Sequence, residues 1–156
     1  MVFTKHDSFV KQIIIYLARK EYDLAFSLSK EFVIAFPDDL LSHFLFAKSA
    51  FWVHNYAVAI EHGRIAFNMS SGQDLLTTGL LLSSSYYLSN EFAKGYKVLQ
   101  CIESGLPASG LSVEFEQLMT IYLLAFNNPE GAAQHIKKLY DLNSKYAEDF
   151  IVRFLE

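Results

Sequence analysis

The chain has 156 residues, 52% of them apolar and only 19% charged, a balance that excludes intrinsic disorder and suffices for one folded domain with its own core. Acids number 17 against 13 bases, a net charge of -4, so no polyanion-binding surface and no nucleic-acid partner are expected. The single cysteine, Cys101, excludes an internal disulfide.

The first expected pair of helices ends at Pro37. Its second helix opens Tyr22, Asp23, Leu24, Ala25 and continues through Phe32. The second pair is expected over 41–53 and 56–68, with His54 and Asn55 in the turn. Its second helix opens Tyr56, Ala57, Val58, Ala59, followed by Ala66 and Ser71. The third follows the same plan with Phe92, Ala93, Lys94 and Gly95, then Ile102 and Pro107. Tyr22 to Tyr56 is 34 positions, as is Ala25 to Ala59, whereas Tyr56 to Phe92 is 36. The two extra residues fit a turn at Gln73 and Asp74. A weaker fourth pair is expected over 113–126 and 130–141, turning at Asn127, Asn128 and Pro129, with Ala132, Ile136 and Leu139 in the small and apolar slots. A last helix at 145–155 would cap the stack.

This period, with an aromatic three places before a small residue, is that of the tetratricopeptide repeat (TPR), a helix–turn–helix unit. The expected fold class is an all-α, TPR-like solenoid of about four repeats (6–39, 40–73, 76–109 and 113–146) plus the terminal helix, forming a single domain over 1–156. Ala47 with Ala59, and Ser83 with Gly95, sit where helices approach closely. Ile13 replaces a small residue in the first repeat, whose packing is expected to be looser or slightly different. Pro37 and Pro107 stop helices because proline has no N–H to donate.

Catalytic chemistry finds little support. His6, His43, His54, His62 and His135 have no zinc-site spacing and no HExxH run. Glu61 and His62 are expected on a solvated outer face, His54 in a turn, and His43 in a structural role. Ser83, Ser84 and Ser85 lack the glycine-flanked elbow of a nucleophile. Cys101 is expected to be a half-buried structural thiol. Asp38 and Asp39 follow Pro37 as helix-capping carboxylates. The chain therefore reads as non-enzymatic, with no catalytic residues, cofactor, metal or small-molecule substrate. Residues 1–9 are polar and carry no signal-peptide core. The apolar stretch 79–88 is about half the roughly 20 residues of a membrane span, so no membrane partner is expected.

The first helices of the repeats should line a concave groove. Its positions are Asp7, Val10, Lys11, Ile14, Leu17 and Ala18 in the first repeat. They are Leu41, Phe44, Leu45, Lys48, Phe51 and Trp52 in the second, and Thr77, Leu80, Leu81, Ser84, Tyr87 and Leu88 in the third. Within these, Val10, Ile14, Leu17, Phe44, Lys48, Phe51, Trp52, Leu80, Ser84 and Tyr87 are the candidate protein-binding or dimer-interface residues. Lys11 and Lys48 are nearly the only cations, which argues against a carboxylate clamp for acidic peptide tails. A surface this apolar must be covered by its own chain or by a partner.

One TPR family is similar in particular. The segments Tyr22 to Phe26, Leu88 to Gly95 with Leu99, and Leu142-Asn143 with Phe150 and Glu156 resemble the N-terminal region of the coactivator-binding TPR scaffold subunit of the anaphase-promoting complex (cyclosome), a multi-subunit ubiquitin ligase of cell-cycle control. The resemblance implies a homodimerisation domain, or a short relative, with itself and other protein subunits as partners, in the nucleus or cytoplasm. Coactivator tails bind far downstream in that family, so no peptide-binding residue carries over. The alternative is a TPR chaperone or adaptor of the type III secretion kind, holding a partner peptide in the groove. Such chaperones usually carry a polar leader before the first repeat.

Overall fold

The computed structural model describes residues 4–154. Leu155, expected to end the last helix, and Glu156 lie outside the described residues, as do residues 1–3. Among the described residues there are nine α-helices and no strand. They are α1 (Lys5–Ala18), α2 (Tyr22–Ala35), α3 (Leu40–Trp52), α4 (Tyr56–Asn68), α5 (Gln73–Leu88), α6 (Phe92–Gly105), α7 (Val113–Ala125), α8 (Pro129–Leu142) and α9 (Ser144–Phe154), with a short 3-10 turn at Ala108–Gly110. The helices fall into two compact units, Met1–Asp74 and Leu75–Glu156. In the first, α1 packs on α2, α2 on α3 and α3 on α4; in the second, α6 packs on α7, α7 on α8 and α8 on α9.

One turn recurs in all four helix pairs. Lys20, His54, Asn90 and Asn127 are left-handed, with φ between 57° and 62°. After each, a backbone N–H reaches back five residues: Glu21 to Tyr16, Asn55 to Ala50 and Glu91 to Tyr86 at 2.9 Å, Asn128 to Leu123 at 2.8 Å. This closes the end of the preceding helix on carbonyls that would otherwise lack donors. Side chains start the next helices. Asp39 accepts the Ser42 N–H, Asn55 the Val58 N–H, Ser112 the Phe115 N–H and Asn128 the Gly131 N–H. Pro129 follows Asn128 as the first helical residue, where no N–H is missed.

The fourth residue of each second helix is small and buried: Ala25, Ala59, Gly95 and Ala132. At Gly95 a tyrosine takes the space. A Cβ there would lie 1.7 Å from the Tyr122 hydroxyl oxygen. That hydroxyl donates to the Ser83 carbonyl at 2.6 Å, and Ser83 Oγ donates to the Gly95 carbonyl at 3.3 Å. Burial outweighs this bond and pushes the phenol up to about 12. In the first unit Ile13, Phe32 and Leu45 form a core ringed by Phe9, Val10, Leu17, Leu28, Phe36 and Phe44. Ile13 is fully buried, with the half-buried rings of Phe9, Phe36 and Phe44 packed around its core. In the second unit Leu139, Ala147 and Phe150 anchor α9 on α8.

The extra residues of the third repeat sit elsewhere than the sequence suggests. Gln73 and Asp74 are the first turn of α5, not part of the connection. The turn lies at Gly72, whose φ of 57° suits a residue without Cβ. The insertion lengthens the helix, to 16 residues in α5 against 13 in α3.

Candidate functional site

Ile14, exposed, and Leu17, half-buried against the Ile13 core, lie one turn apart on α1, and Phe44, Lys48 and Trp52 recur along α3 at helical spacing. Together with Ala18, Leu41 and Leu45 they line a cavity of about 540 Å³ in the first unit. Lys48 supplies its charge and lies 5.8 Å from the centre of the Phe44 ring, a favourable cation–aromatic contact. Ile14 and Trp52 are 51% and 43% exposed, so apolar surface stays open at the rim. Sequence reasoning missed Tyr22 in this lining. It opens α2 rather than a first helix, yet its ring stacks on Trp52 at 5.2 Å and 9°.

The other expected interface residues lie elsewhere. Val10 is half-buried against the Ile13 core. Phe51 packs its ring edge-on against Trp52 and Tyr56. Leu80, Ser84 and Tyr87 belong to the second unit. There Ser84 Oγ donates to the Leu80 carbonyl at 2.8 Å, and Tyr87 packs edge-on against Phe92 and Tyr122.

Two sequence expectations need correction. His62 is not on a solvated outer face; Glu61 is, but His62 is half-buried against α3. Its ring stacks on His43, with the two Nδ1 atoms 2.9 Å apart. His43 Nε2 is 2.6 Å from the Pro37 carbonyl, which can only accept. A neutral His43 therefore carries its proton on Nε2, and His62 donates from Nδ1. Burial, then the neighbouring His43, holds the His62 pKa below its ordinary value, against an opposing pull from Glu61. Cys101 is exposed rather than half-buried. The inward face of α6 runs through Val98, Leu99 and Ile102, and residue 101 lies one helical step off that face.

A second polar pair was not anticipated. Glu116 on α7 and His135 on α8 are both buried, with Oε2 and Nδ1 2.5 Å apart. His6 also pairs with Asp39, at 2.8 Å, beside Phe32 and Phe36. No group of three or more histidine, cysteine or acidic side chains among the described residues could hold a metal ion. No helix among them is long and apolar enough to cross a membrane.

The chain is similar in fold to solved structures of low sequence identity. MamA from Desulfovibrio magneticus RS-1, from residue 41 onward, is 13% identical, with 90% of this chain and 77% of that one covered at a TM-score of 0.77. PilF of Pseudomonas aeruginosa is 12% identical, with 90% and 62% covered and a TM-score of 0.70. A thermophilic TPR protein of Thermus thermophilus is 14% identical, with 89% and 75% covered and a TM-score of 0.71. The chain thus spans under two thirds of the PilF structure. At these identities the likeness is one of fold: all-α and TPR-like. No family model and no curated protein sequence matches the chain.

Proposed function

We propose that the chain is a non-catalytic protein–protein interaction scaffold that self-associates through the α1 and α3 faces of its first unit. The observation that carries this reading is the apolar cavity rimmed by exposed Ile14 and Trp52, with Lys48 as its charge. Large side chains left in water at a concave surface gain most by being covered by protein. Aromatic residues of this kind dominate the energetics of such contacts. A two-fold contact lets one patch serve both copies. The TPR-like fold supports a role in binding proteins. The further reading, a subunit of the anaphase-promoting complex with other subunits as partners, is supported by the sequence resemblance alone.

Mass by light scattering at micromolar concentration tests the proposal. The parent should be a dimer. Ile14→Glu should give monomers, because it sets an unpaired charge into the contact. Ile14 is exposed, so the helices should survive, as circular dichroism would verify. Phe51 is the poorer test position, since its ring packs within the fold. A monomeric parent would sink self-association and leave a partner segment as the occupant of the cavity.

A further inference from the structure

We propose that the outer face of α4 is a second self-contact, on which α4 of another copy of this chain lies antiparallel across a two-fold axis. A groove of about 370 Å³ runs along that face, lined by Ala57, Ile60, Glu61, Arg64, Ile65 and Asn68. Their spacing sets all six on one side of the helix. Ile60 is half-buried and the other five are exposed. His62 and Gly63 turn the other way, His62 against Phe46 of α3 and Gly63 into the buried side. None of the six lines the cavity between α1 and α3, so the two contacts are separate.

The order of residues along the face identifies the occupant. Take the point midway between His62 and Gly63. Glu61 and Arg64 lie equally far on either side of it, then Ile60 and Ile65, then Ala57 and Asn68. Ala57, Glu61, Arg64 and Asn68 follow the alternating four- and three-residue steps of a helix-pair seam, with the isoleucines on its flanks. Two antiparallel copies centred on that point set Glu61 of each level with Arg64 of the other. They also set the small Ala57 level with Asn68, and each isoleucine beside its own counterpart. Glu61 and Arg64 are three places apart, where a salt bridge within the helix is possible. Among the described residues neither forms one, so both charges are available to a second copy. The isoleucines supply the apolar contact. Exposed ion pairs add little affinity, but here they fix direction and register. A seam on one helix of 13 residues, about 20 Å long, is smaller than a stable dimer needs, and a Kd on the order of 0.1 mM follows. Beside the α1–α3 contact it would join dimers into tetramers or longer arrays, because each copy then offers two different two-fold patches.

The test is sedimentation equilibrium of the full chain carrying Ile14→Glu, which removes the first contact. That chain should be monomeric at about 5 µM and partly dimeric at about 300 µM. Adding Glu61→Arg or Arg64→Glu, both at exposed positions, should weaken the association at least about tenfold by setting like charges level. Circular dichroism checks that each variant keeps its helices. An equimolar mixture of the two variants should associate to within about threefold of the chain without them, because every facing pair is again opposite in sign. A salt bridge within one helix cannot give that rescue. The proposal is overturned if either reversal leaves the association unchanged, or if the mixture is no tighter than the separate variants. It is also overturned if the Ile14→Glu chain stays monomeric at about 1 mM, which would leave the face to a different protein. An Ile14→Glu chain that is already dimeric at about 5 µM would sink the α1–α3 reading alone. The reversals and their mixture then decide the α4 contact in that dimer by the same criteria.

Discussion

In the first unit the fourth residue of α3, His43, meets the seventh of α4, His62. In the second the same positions of α7 and α8 hold Glu116 and His135. Both pairs are 19 residues apart. One position in the repeat thus brings two polar side chains together inside the helix pair, and the two units fill it with different chemistry. Two imidazoles share one proton between facing nitrogens and rest on the Pro37 carbonyl. A carboxylate with an imidazole is an acid–base pair, held by no backbone carbonyl among the described residues. In α6 the seventh residue is Val98, also buried, so the position accepts an apolar side chain as well. The polar pairs are therefore choices of the individual repeats and not a demand of the fold.

The sharpest way to separate the two pairs is to remove one histidine from each. His135→Ala would leave Glu116 buried without its partner, and breaking such a pair costs about 3–5 kcal/mol. His62→Ala removes a neutral hydrogen bond at a half-buried site, worth about 1 kcal/mol. Urea unfolding of the two variants should show this difference. Replacing Glu116 and His135 together by leucine should restore most of the loss, because no charge is then left unpaired. Equal losses for the two single variants would mean that the pairs are energetically alike.

The units also differ at the small residue where their helices approach. Alanine fills the position in both helix pairs of the first unit, Ala25 and Ala59, and at Ala132 of the second, whereas in α6 of the second Gly95 with the Tyr122 hydroxyl fills it. Gly to Ala in a helix ordinarily stabilises by up to about 1 kcal/mol. At Gly95 the sign should reverse. The new Cβ would meet the Tyr122 hydroxyl oxygen and, at 2.5 Å, the ring carbon that bears it. The fully buried ring cannot retreat cheaply, so Gly95→Ala should destabilise by about 1–3 kcal/mol. Ala59→Leu should cost a similar amount by overpacking. Thermal unfolding of either variant at the parental temperature would show that these contacts yield.

The helices themselves were legible in the sequence because their signals are local. Tyr56 opens a helix after the Asn55 cap, and α4 ends at Asn68 as its period requires. The Asp39 cap after Pro37 was likewise readable. Contacts between helices were harder, because one helix read alone does not show what its neighbour covers. His62 looked solvated on α4, and only the register against α3 turns it toward His43. The shared spacing of 19 residues in His43–His62 and Glu116–His135 was the signal that could have found both pairs. The recurrence of Ile14, Leu17, Phe44, Lys48 and Trp52 along two helices was readable from spacing. Tyr22 was not, because its place beside Trp52 depends on how α2 meets α3.

The smallest expected effect is a dependence on pH that belongs to the first unit's pair. The folded pKa of His62 is depressed by burial and then by the His43 ring. In the unfolded chain it titrates near its ordinary value of about 6.5. Above that value both states are neutral at His62, and its contribution to stability is complete. As pH falls below about 6.5 the unfolded chain takes up a proton that the folded chain resists, so this contribution is lost on the acid side. Glu61 pulls the other way and moderates the loss, since a carboxylate nearby favours the charged imidazole. Other carboxylates and histidines titrate over the same range, so the comparison must be with His62→Ala. That variant should cost about 1 kcal/mol at pH 7.5, and less at pH 5, where the parent has given up part of the advantage. Chemical unfolding of parent and variant at both pH values checks this. A gap between them that stays constant or widens toward pH 5 would show that His62 takes its proton in the folded state, with the facing imidazole no obstacle.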